Sequence, residues 1–297
     1  MEKKHMVGFI GLGVMGKPMS KNLIKAGYPL VVYDLIGSKM SELVSIGAEG
    51  AGSPKDVSKK CEIIITMVPD SPEVEIAVLG ENGVIEGVKE GAIVIDMSSI
   101  NPFTTRKAGE ALAKKGVEML DAPVSGGEEG AIKGELAIMV GGKEEIFKKS
   151  LPLFKSMGKS ITYVGELGGG EMMKLVNQLI VAVNIAALSE AFMLGAKAGL
   201  SAQTMFQAIR GGLAGSKVME TKVPRFVERN FAPGFKIDLH IKDLKNALTA
   251  AQELKVPVPF ASLVGQVMLA LSNKGKGAND HGGMVEFWED MAGGKVK

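Results

Sequence analysis

The chain has little cysteine, little net charge and few histidines, and each shortage excludes a class of protein. Cys61 is the single cysteine in 297 residues, so no internal disulfide framework can form, and the composition fits a reducing compartment. A formal net charge of +2 gives no reason to expect nucleic acid or an anionic membrane as a partner. The three histidines lie far apart in sequence, and no cluster has metal-ligand spacing. We expect a cytoplasmic protein without a metal site.

Long hydrophobic runs are also scarce. The apolar run after His5 is short and broken by glycine, so we expect no secretory signal. One run after Lys174 approaches the length of a membrane span, but Asn184 and Glu190 interrupt it. We therefore predict a buried core helix there, and no membrane partner.

Length and composition indicate a two-domain globular protein. The hydrophobic content of 46% and the charged content of 23% are ordinary for such a chain. Alternating strand and helix signals fill the first half, and helical signals fill the second. We predict a Rossmann-type α/β dinucleotide-binding domain over 1–167 and an all-α domain over 168–297, joined by a long buried helix.

The N-terminal region carries a dinucleotide-binding fingerprint. An apolar strand, Val7 to Ile10, leads into a glycine loop, and a helix, a second strand and Asp34 follow. The glycines allow a tight turn and let the backbone approach a pyrophosphate at the helix N-terminus. The predicted cofactor contacts in this loop are Gly11, Leu12, Gly13, Val14, Met15 and Gly16.

Asp34 bears on which cofactor binds. A carboxylate at this position accepts hydrogen bonds from the adenine ribose hydroxyls and repels a 2′-phosphate, which favours NAD over NADP. Lys39 lies close by in sequence and softens that repulsion. NADP therefore stays open as an alternative cofactor.

Two further strands end in loops that are candidate cofactor walls. The continuous apolar runs 63–68 and 92–97 are typical of parallel strands covered on both faces. Ligands in such sheets bind outside the carboxyl ends of the strands, although an ordinary turn is the competing interpretation. The candidate residues are Val68 and Pro69 after the first strand, and Ser98 and Ser99 after the second.

A third loop is a candidate anion site. The strand that begins at Met119 delivers Ser125, Gly126 and Gly127 to one place. A hydroxyl and backbone N–H groups in such a loop can bind a carboxylate. Taken alone, the stretch is better explained as a glycine-rich turn.

A long helix follows three glycines, Gly168 to Gly170, and its first turns carry Lys174 and Asn177. These two residues are spaced i,i+3 and so share a helix face. An ammonium group at the mouth of a buried helix must be paired, solvated or used in chemistry. We predict that this polar face lines a cleft between the domains. Farther on, His240, Lys242 and Asp243 lie close together on another predicted helix.

Four stretches together resemble the β-hydroxyacid dehydrogenase family. They are the N-terminal stretch 9–19, the loop Asp121-Ala122-Pro123-Val124-Ser125-Gly126-Gly127, the helix start 168–177 and the segment Lys242-Asp243-Leu244. They occur in the family's order and span most of the chain.

The resemblance implies a function and residue roles. Lys174 would be the catalytic acid and base for hydride transfer, and Asn177 would orient the substrate. Ser125, Gly126 and Gly127 would hold the substrate carboxylate. The loops at Val68 and Ser98 would line the nicotinamide, and Lys242 would reach the cofactor. His240 is then expected to pack or to act indirectly.

The implied reaction is the NAD-dependent reduction of a short semialdehyde acid to a hydroxy acid by a homodimer or homotetramer. Tartronate semialdehyde, giving glycerate, is the first expectation. The alternative is 3-hydroxyisobutyrate dehydrogenase activity or that of a related short-chain semialdehyde reductase. A further alternative of another class is a sensor or scaffold that binds NAD without turnover, because fold alone does not establish activity.

Overall fold

The short apolar strands form one nine-stranded sheet in a computed structural model that describes residues 4–297. The spatial order is β3-β2-β1-β4-β5-β6-β8-β7, and β9 pairs with β8. The strands β3 to β6 in this order are parallel, which is the doubly wound dinucleotide-binding topology. Their bounds are β1 Val7–Ile10, β2 Leu30–Tyr33, β3 Glu49–Gly50, β4 Ile63–Thr66, β5 Ile93–Asp96, β6 Glu118–Asp121, β7 Val124–Ser125, β8 Leu136–Gly141 and β9 Gly158–Gly165.

Helices follow most of the strands along the chain, and parallel neighbours need such crossover connections. Their bounds are α1 Gly16–Lys25, α2 Ser41–Ser45, α3 Pro54–Lys60, α4 Ser71–Leu79, α5 Val84–Gly87, α6 Pro102–Ala113, α7 Gly127–Lys133 and α8 Glu144–Phe154. A short 3₁₀ turn covers Gly37–Lys39. The predicted Rossmann-type α/β fold is confirmed.

Apolar residues cover both faces of the sheet, as continuous apolar strands predict. Along β4, Ile63 and Ile65 belong to one buried cluster, whereas Ile64 belongs to the other. Side chains alternate across a strand, so a run without polar residues buries both faces. Phe9 on β1 is fully buried in the first cluster.

The chain divides into two compact units, one ending at Lys174 and the other spanning Leu175–Lys297. The second unit is helical, which confirms the predicted all-α domain. It contains α10 Ala202–Ile209, α11 Lys217–Glu228, α12 Ile237–Glu253, α13 Pro259–Leu271 and α14 Val285–Ala292, with a π turn at Ser272–Lys276 and a 3₁₀ turn at His281–Met284.

The long helix predicted after the three glycines is α9, Gly169–Lys197. Its length and mean hydropathy of 1.9 would suffice for a membrane span, a test that core helices of globular proteins also pass. In the second unit its inner side packs into two apolar clusters, with Ile185 in one and Phe192 in the other.

In the single chain, α9 is buried on one side only. Ile180 is 59% exposed and Leu194 is 75% exposed, and Ala187 lies exposed between them. These three residues are seven apart, so they lie on one side of the helix. The other elements of a single chain cover only the opposite side. Because both sides of the helix are apolar, the sequence does not indicate which side is covered.

We expect the exposed side of α9 to be covered in the predicted homodimer or homotetramer. Light scattering of the purified protein should then give two or four times the chain mass of 31.2 kDa. Leu194→Glu places a charge on this side and should lower the mass. Ile76→Glu is the matched control, because Ile76 is 65% exposed on α4. A wild-type mass of one chain would contradict the prediction.

Candidate active site

The candidate cofactor residues of the first unit meet at the carboxyl edge of the parallel strands. Ile10 at the end of β1 pairs with Tyr33 of β2 on one side and with Thr66 of β4 on the other. The strand order reverses between β1 and β4, and ligands bind at such a switch point. The glycine loop leaves the sheet there.

The glycine loop has the shape that a pyrophosphate needs. Gly11 has φ +96°, and a Cβ at this position would lie 2.2 Å from the carbonyl oxygen of Met67. A Cβ at Gly13 would meet nothing within 4 Å, so open space lies above the loop. Leu12 is buried, whereas Val14 is 63% exposed. Helix α1 begins at Gly16, directly after the loop.

Asp34 lies against this loop. Its Oδ2 accepts a hydrogen bond from the backbone N–H of Leu12 at 2.8 Å, and its Oδ1 accepts one from Ile36 at 2.9 Å. Lys39 Nζ is 3.4 Å from Oδ1, so the predicted cation is present beside the carboxylate. A carboxylate has about four acceptor positions, which leaves capacity for ribose hydroxyls. The loop and Asp34 therefore fit the adenosine half of a dinucleotide.

The two predicted cofactor walls lie side by side. The N–H of Val68 donates to Ser98 Oγ at 3.0 Å, which joins the loop after β4 to the loop after β5. Pro69 and Ser99 are the next residues of these loops. Val68 also lies beside the glycine loop, since a Cβ on Gly11 would be 3.0 Å from Val68 Cγ1.

Lys174 lies beside the predicted carboxylate loop. Its side chain is 6% exposed, and Nζ donates a hydrogen bond to the carbonyl oxygen of Val124 at 2.8 Å. Ser125 follows directly and ends β7, and Gly126 and Gly127 lead into α7. A buried ammonium, a hydroxyl and the N–H groups of two glycines thus occupy one region of the first unit.

Asp121 fixes the start of the helix that carries Lys174. Its two carboxylate oxygens accept hydrogen bonds from the N–H groups of Gly168 at 2.8 Å and Glu171 at 2.7 Å. These are the donors that a helix N-terminus leaves unpaired. Gly170 permits the close approach, because a Cβ there would lie 2.5 Å from the carbonyl oxygen of Met139. Burial raises the pKa of Asp121 to about 6, against the opposing effect of the two N–H donors.

A second polar cluster lies in the second unit and includes the other two predicted site residues. Asn177 Nδ2 donates to Gln178 Oε1 at 2.8 Å, and Gln178 Nε2 donates to Asp243 Oδ2. Lys242 Nζ is 3.1 Å from the other oxygen of Asp243. Asn177 and Lys242 are therefore joined through two residues to which the sequence analysis gave no role.

His240 is fully buried on α12. Its Nε2 is 3.1 Å from the carbonyl oxygen of Gln178, and its Nδ1 is 2.9 Å from Nδ1 of His281. Burial and the neighbouring His240 lower the pKa of His281 from its ordinary value. His240 thus packs behind the Gln178 cluster. Within residues 4–297, no group of three or more His, Cys, Asp or Glu side chains is arranged to hold a metal ion.

From the sequence, no role was assigned to Asp121 or Gln178, and Asp243 was noted only as a neighbour of Lys242. The signal for Asp121 was present, since an acid at the end of a strand begins the predicted carboxylate loop. Gln178 gave no signal, because neighbouring helix residues do not normally face each other.

The fold and the glycine loop with Asp34 define a dinucleotide-binding protein, a class that includes the NAD(P)-dependent oxidoreductases. Residues 6–165 match the family model for the NAD-binding domain of 6-phosphogluconate dehydrogenase. Residues 168–288 match the model for the NAD-binding region of NADP-dependent 3-hydroxyisobutyrate dehydrogenase. The chain belongs to the β-hydroxyacid dehydrogenase family.

Individual relatives match over nearly the whole chain. The 2-hydroxy-3-oxopropionate reductase of Escherichia coli is 43% identical, covering 98% of this chain and 99% of the relative. The 2-(hydroxymethyl)glutarate dehydrogenase of Eubacterium barkeri is 40% identical, covering 100% of this chain and 99% of that relative. The structure of Mycobacterium tuberculosis 3-hydroxyisobutyrate dehydrogenase with L-serine has a TM-score of 0.89 at 29% identity, covering 96% of this chain and 99% of that one.

These findings confirm the family, the enzyme class and the NAD(P) cofactor. The chain is similar to tartronate semialdehyde reductase, another name for the E. coli relative's activity. As a member of this family, it acts on small hydroxy acids or the corresponding semialdehydes. The alternative of a scaffold without turnover is set aside.

The raised pKa of Asp121 makes stability depend on pH in a defined direction. The ordinary pKa is 3.8, and the pKa in the folded protein is about 6. The contribution of Asp121 to the free energy of unfolding is therefore fully present below pH 3.8 and is lost as the pH rises through 6. This contribution changes by about 3 kcal/mol across that range, because one pKa unit corresponds to about 1.4 kcal/mol.

Asp121→Asn removes this titration. Urea denaturation of both proteins at pH 7.5 and pH 4 should show wild type gaining stability relative to the variant by about that amount at the lower pH. A difference between the two proteins that is the same at both pH values would contradict the assignment.

Proposed function

We propose that this enzyme reduces tartronate semialdehyde to D-glycerate with NADH, using Lys174 as general acid. The observation that carries the proposal is the hydrogen bond from Lys174 Nζ to the carbonyl oxygen of Val124, 2.8 Å long and directly before the Ser125 loop. A proton donor is thus held beside the groups that suit a carboxylate. A semialdehyde acid carries both a carboxylate and a carbonyl that must gain a proton.

The residues that would hold the dinucleotide are the glycine loop 11–16, Asp34, the loop of Val68 and Pro69, and the loop of Ser98 and Ser99. When bound, the nicotinamide supplies or accepts the hydride. The open space above Gly13 and the acceptor oxygens of Asp34 support this assignment. The predicted approach of Lys242 to the cofactor stays a prediction.

Lys174 would protonate the substrate oxygen as the carbonyl is reduced, and in the reverse direction it would accept the proton of the alcohol. The hydrogen bond to Val124 aims the ammonium group before substrate arrives, which reduces the entropy lost in the transition state. Ser125, Gly126 and Gly127 would hold the substrate carboxylate with a hydroxyl and N–H groups. Asn177, three residues beyond Lys174 on the same helix, would orient the substrate.

The choice of tartronate semialdehyde is supported by the E. coli relative, whose name states the reductase activity, at 43% identity. The alternative substrate, methylmalonate semialdehyde, is supported by the structural similarity to a 3-hydroxyisobutyrate dehydrogenase at 29% identity. Both share the carboxylate and the aldehyde, so the Ser125 loop and Lys174 serve either. A cytoplasmic location also stays a prediction, which fractionation of the source cells tests.

Replacing Lys174 tests the proposed chemistry. Lys174→Ala should lower kcat by about 10² to 10⁴, the usual contribution of general acid catalysis. NADH affinity, measured by fluorescence titration, should be unchanged because Lys174 is not among the proposed cofactor contacts. Lys133→Ala is the matched control, since Lys133 is an exposed lysine on α7 paired with Glu129. A Lys174→Ala enzyme with wild-type kcat would refute the role.

Asp34 should set the preference for NADH. A carboxylate beside a 2′-phosphate costs binding energy, so Asp34→Ser should lower the NADH-to-NADPH ratio of kcat/KM by about tenfold or more. Lys39→Met removes the cation 3.4 Å from Asp34 and should move the ratio the opposite way. If both variants leave the ratio unchanged, Asp34 does not select the cofactor.

A further inference from the structure

Two neighbouring side chains on α9 make an unusual contact. Asn177 Nδ2 donates to Gln178 Oε1 at 2.8 Å, although adjacent residues on a helix point in directions about 100° apart. Such a contact persists only if another group holds one of the side chains in place. That group is Asp243 on α12, which accepts a hydrogen bond from Gln178 Nε2.

The carboxylate decides which way both amides face. Asp243 is paired with Lys242 at 3.1 Å and can only accept hydrogen bonds in that pair. Gln178 must therefore direct its NH₂ group toward Asp243, which directs its oxygen toward Asn177. Asn177 must then direct its own NH₂ group toward Gln178. Amide orientations follow from the network in this way whenever a fixed acceptor ends it.

The backbone of Gln178 is also fixed by a hydrogen bond. Its side chain is 4% exposed, and its backbone carbonyl oxygen is 3.1 Å from Nε2 of the fully buried His240. His240 Nε2 must donate to that carbonyl, so its Nδ1 accepts from Nδ1 of His281 at 2.9 Å. A buried network in which every orientation depends on the next has few alternative arrangements.

The network determines which atom of the Asn177 amide remains for another partner. Within residues 4–297, Asn177 Oδ1 makes no hydrogen bond, and Asn177 is only half buried. We propose that Gln178, held by Asp243, is a positioning residue that presents the carbonyl oxygen of Asn177 to the substrate. Asn177 then selects a substrate that offers a hydroxyl. This inference rests on the proposed function and names the substrate group, a hydroxyl, that Asn177 recognises.

The two candidate substrates differ in this feature. Tartronate semialdehyde has a hydroxyl on the carbon between its carboxylate and its aldehyde, and methylmalonate semialdehyde has a methyl group there. An oriented acceptor favours the hydroxyl strongly, because a methyl group leaves the acceptor desolvated and unpaired. An Asn177 amide that is free to rotate would lose part of this discrimination.

The orientation is testable without substrate. Gln178→Met keeps the length of the side chain and removes its donor and its acceptor. In ligand-free ¹⁵N-labelled protein, one side-chain amide proton of Asn177 should exchange slowly with solvent in wild type and at least about tenfold faster in the variant. Asn184→Leu, on the same helix and half buried, is the matched control and should leave that proton protected. Equal exchange in wild type and Gln178→Met would overturn the proposal.

Kinetics separate positioning from a merely structural role. Gln178→Met should lower kcat/KM for tartronate semialdehyde by about 10- to 100-fold, while that for methylmalonate semialdehyde changes by less than about threefold. NADH affinity should stay the same. An equal loss with both substrates would indicate general damage and overturn the proposal. If wild type reduces neither substrate, the proposed function fails, and the exchange measurement alone then decides whether Gln178 positions Asn177.

Discussion

One buried carboxylate, Asp121, joins the end of a β-strand to the beginning of the longest helix. It accepts the N–H groups of Gly168 and Glu171, so the first turn of α9 is fixed to the carboxyl edge of the sheet. Lys174 lies one turn farther along, and its ammonium group reaches the carbonyl oxygen of Val124, three residues after Asp121. The placement of the proposed acid therefore depends on this one side chain.

A second carboxylate, Asp243 on α12, acts in a similar way on residues farther along α9. Asp243 holds Gln178, and Gln178 holds Asn177. In each case a buried acceptor with fixed geometry orients a polar group to which a role in the proposed chemistry is assigned. Burial is what gives these contacts their effect, since a hydrogen bond in a low-dielectric interior is stronger and its loss is more costly. The proposed chemistry thus uses side chains whose orientation is determined before substrate binds.

Much of the first unit could be predicted from the sequence, because its signals are local. The cofactor-binding region is identified by features within the first 34 residues: apolar strands, a glycine loop and an acid after β2. The spacing of Lys174 and Asn177 likewise follows from helix geometry. By contrast, β3 and β7 have two residues each and exist only because neighbouring strands pair with them.

The contacts that orient the site could not be predicted, because they join residues far apart in sequence. Asp121 meets Glu171 across 50 residues, and Gln178 meets Asp243 across 65. The exposed side of α9 was hidden for a related reason: Ile180 and Phe192 are equally apolar, yet one is 59% exposed and the other 1%. Hydropathy gives the total apolar content of a helix and not the direction in which each side chain points.

The most direct test of the proposed site is a crystal structure with NAD⁺ and D-glycerate bound. We expect Lys174 Nζ within about 3 Å of the hydroxyl oxygen on the carbon that transfers hydride, the usual hydrogen-bond distance. The glycerate carboxylate should contact Ser125 and the N–H groups beside it. A complex in which glycerate binds away from Lys174, or with its carboxylate on another part of the chain, would contradict the assignment of this site.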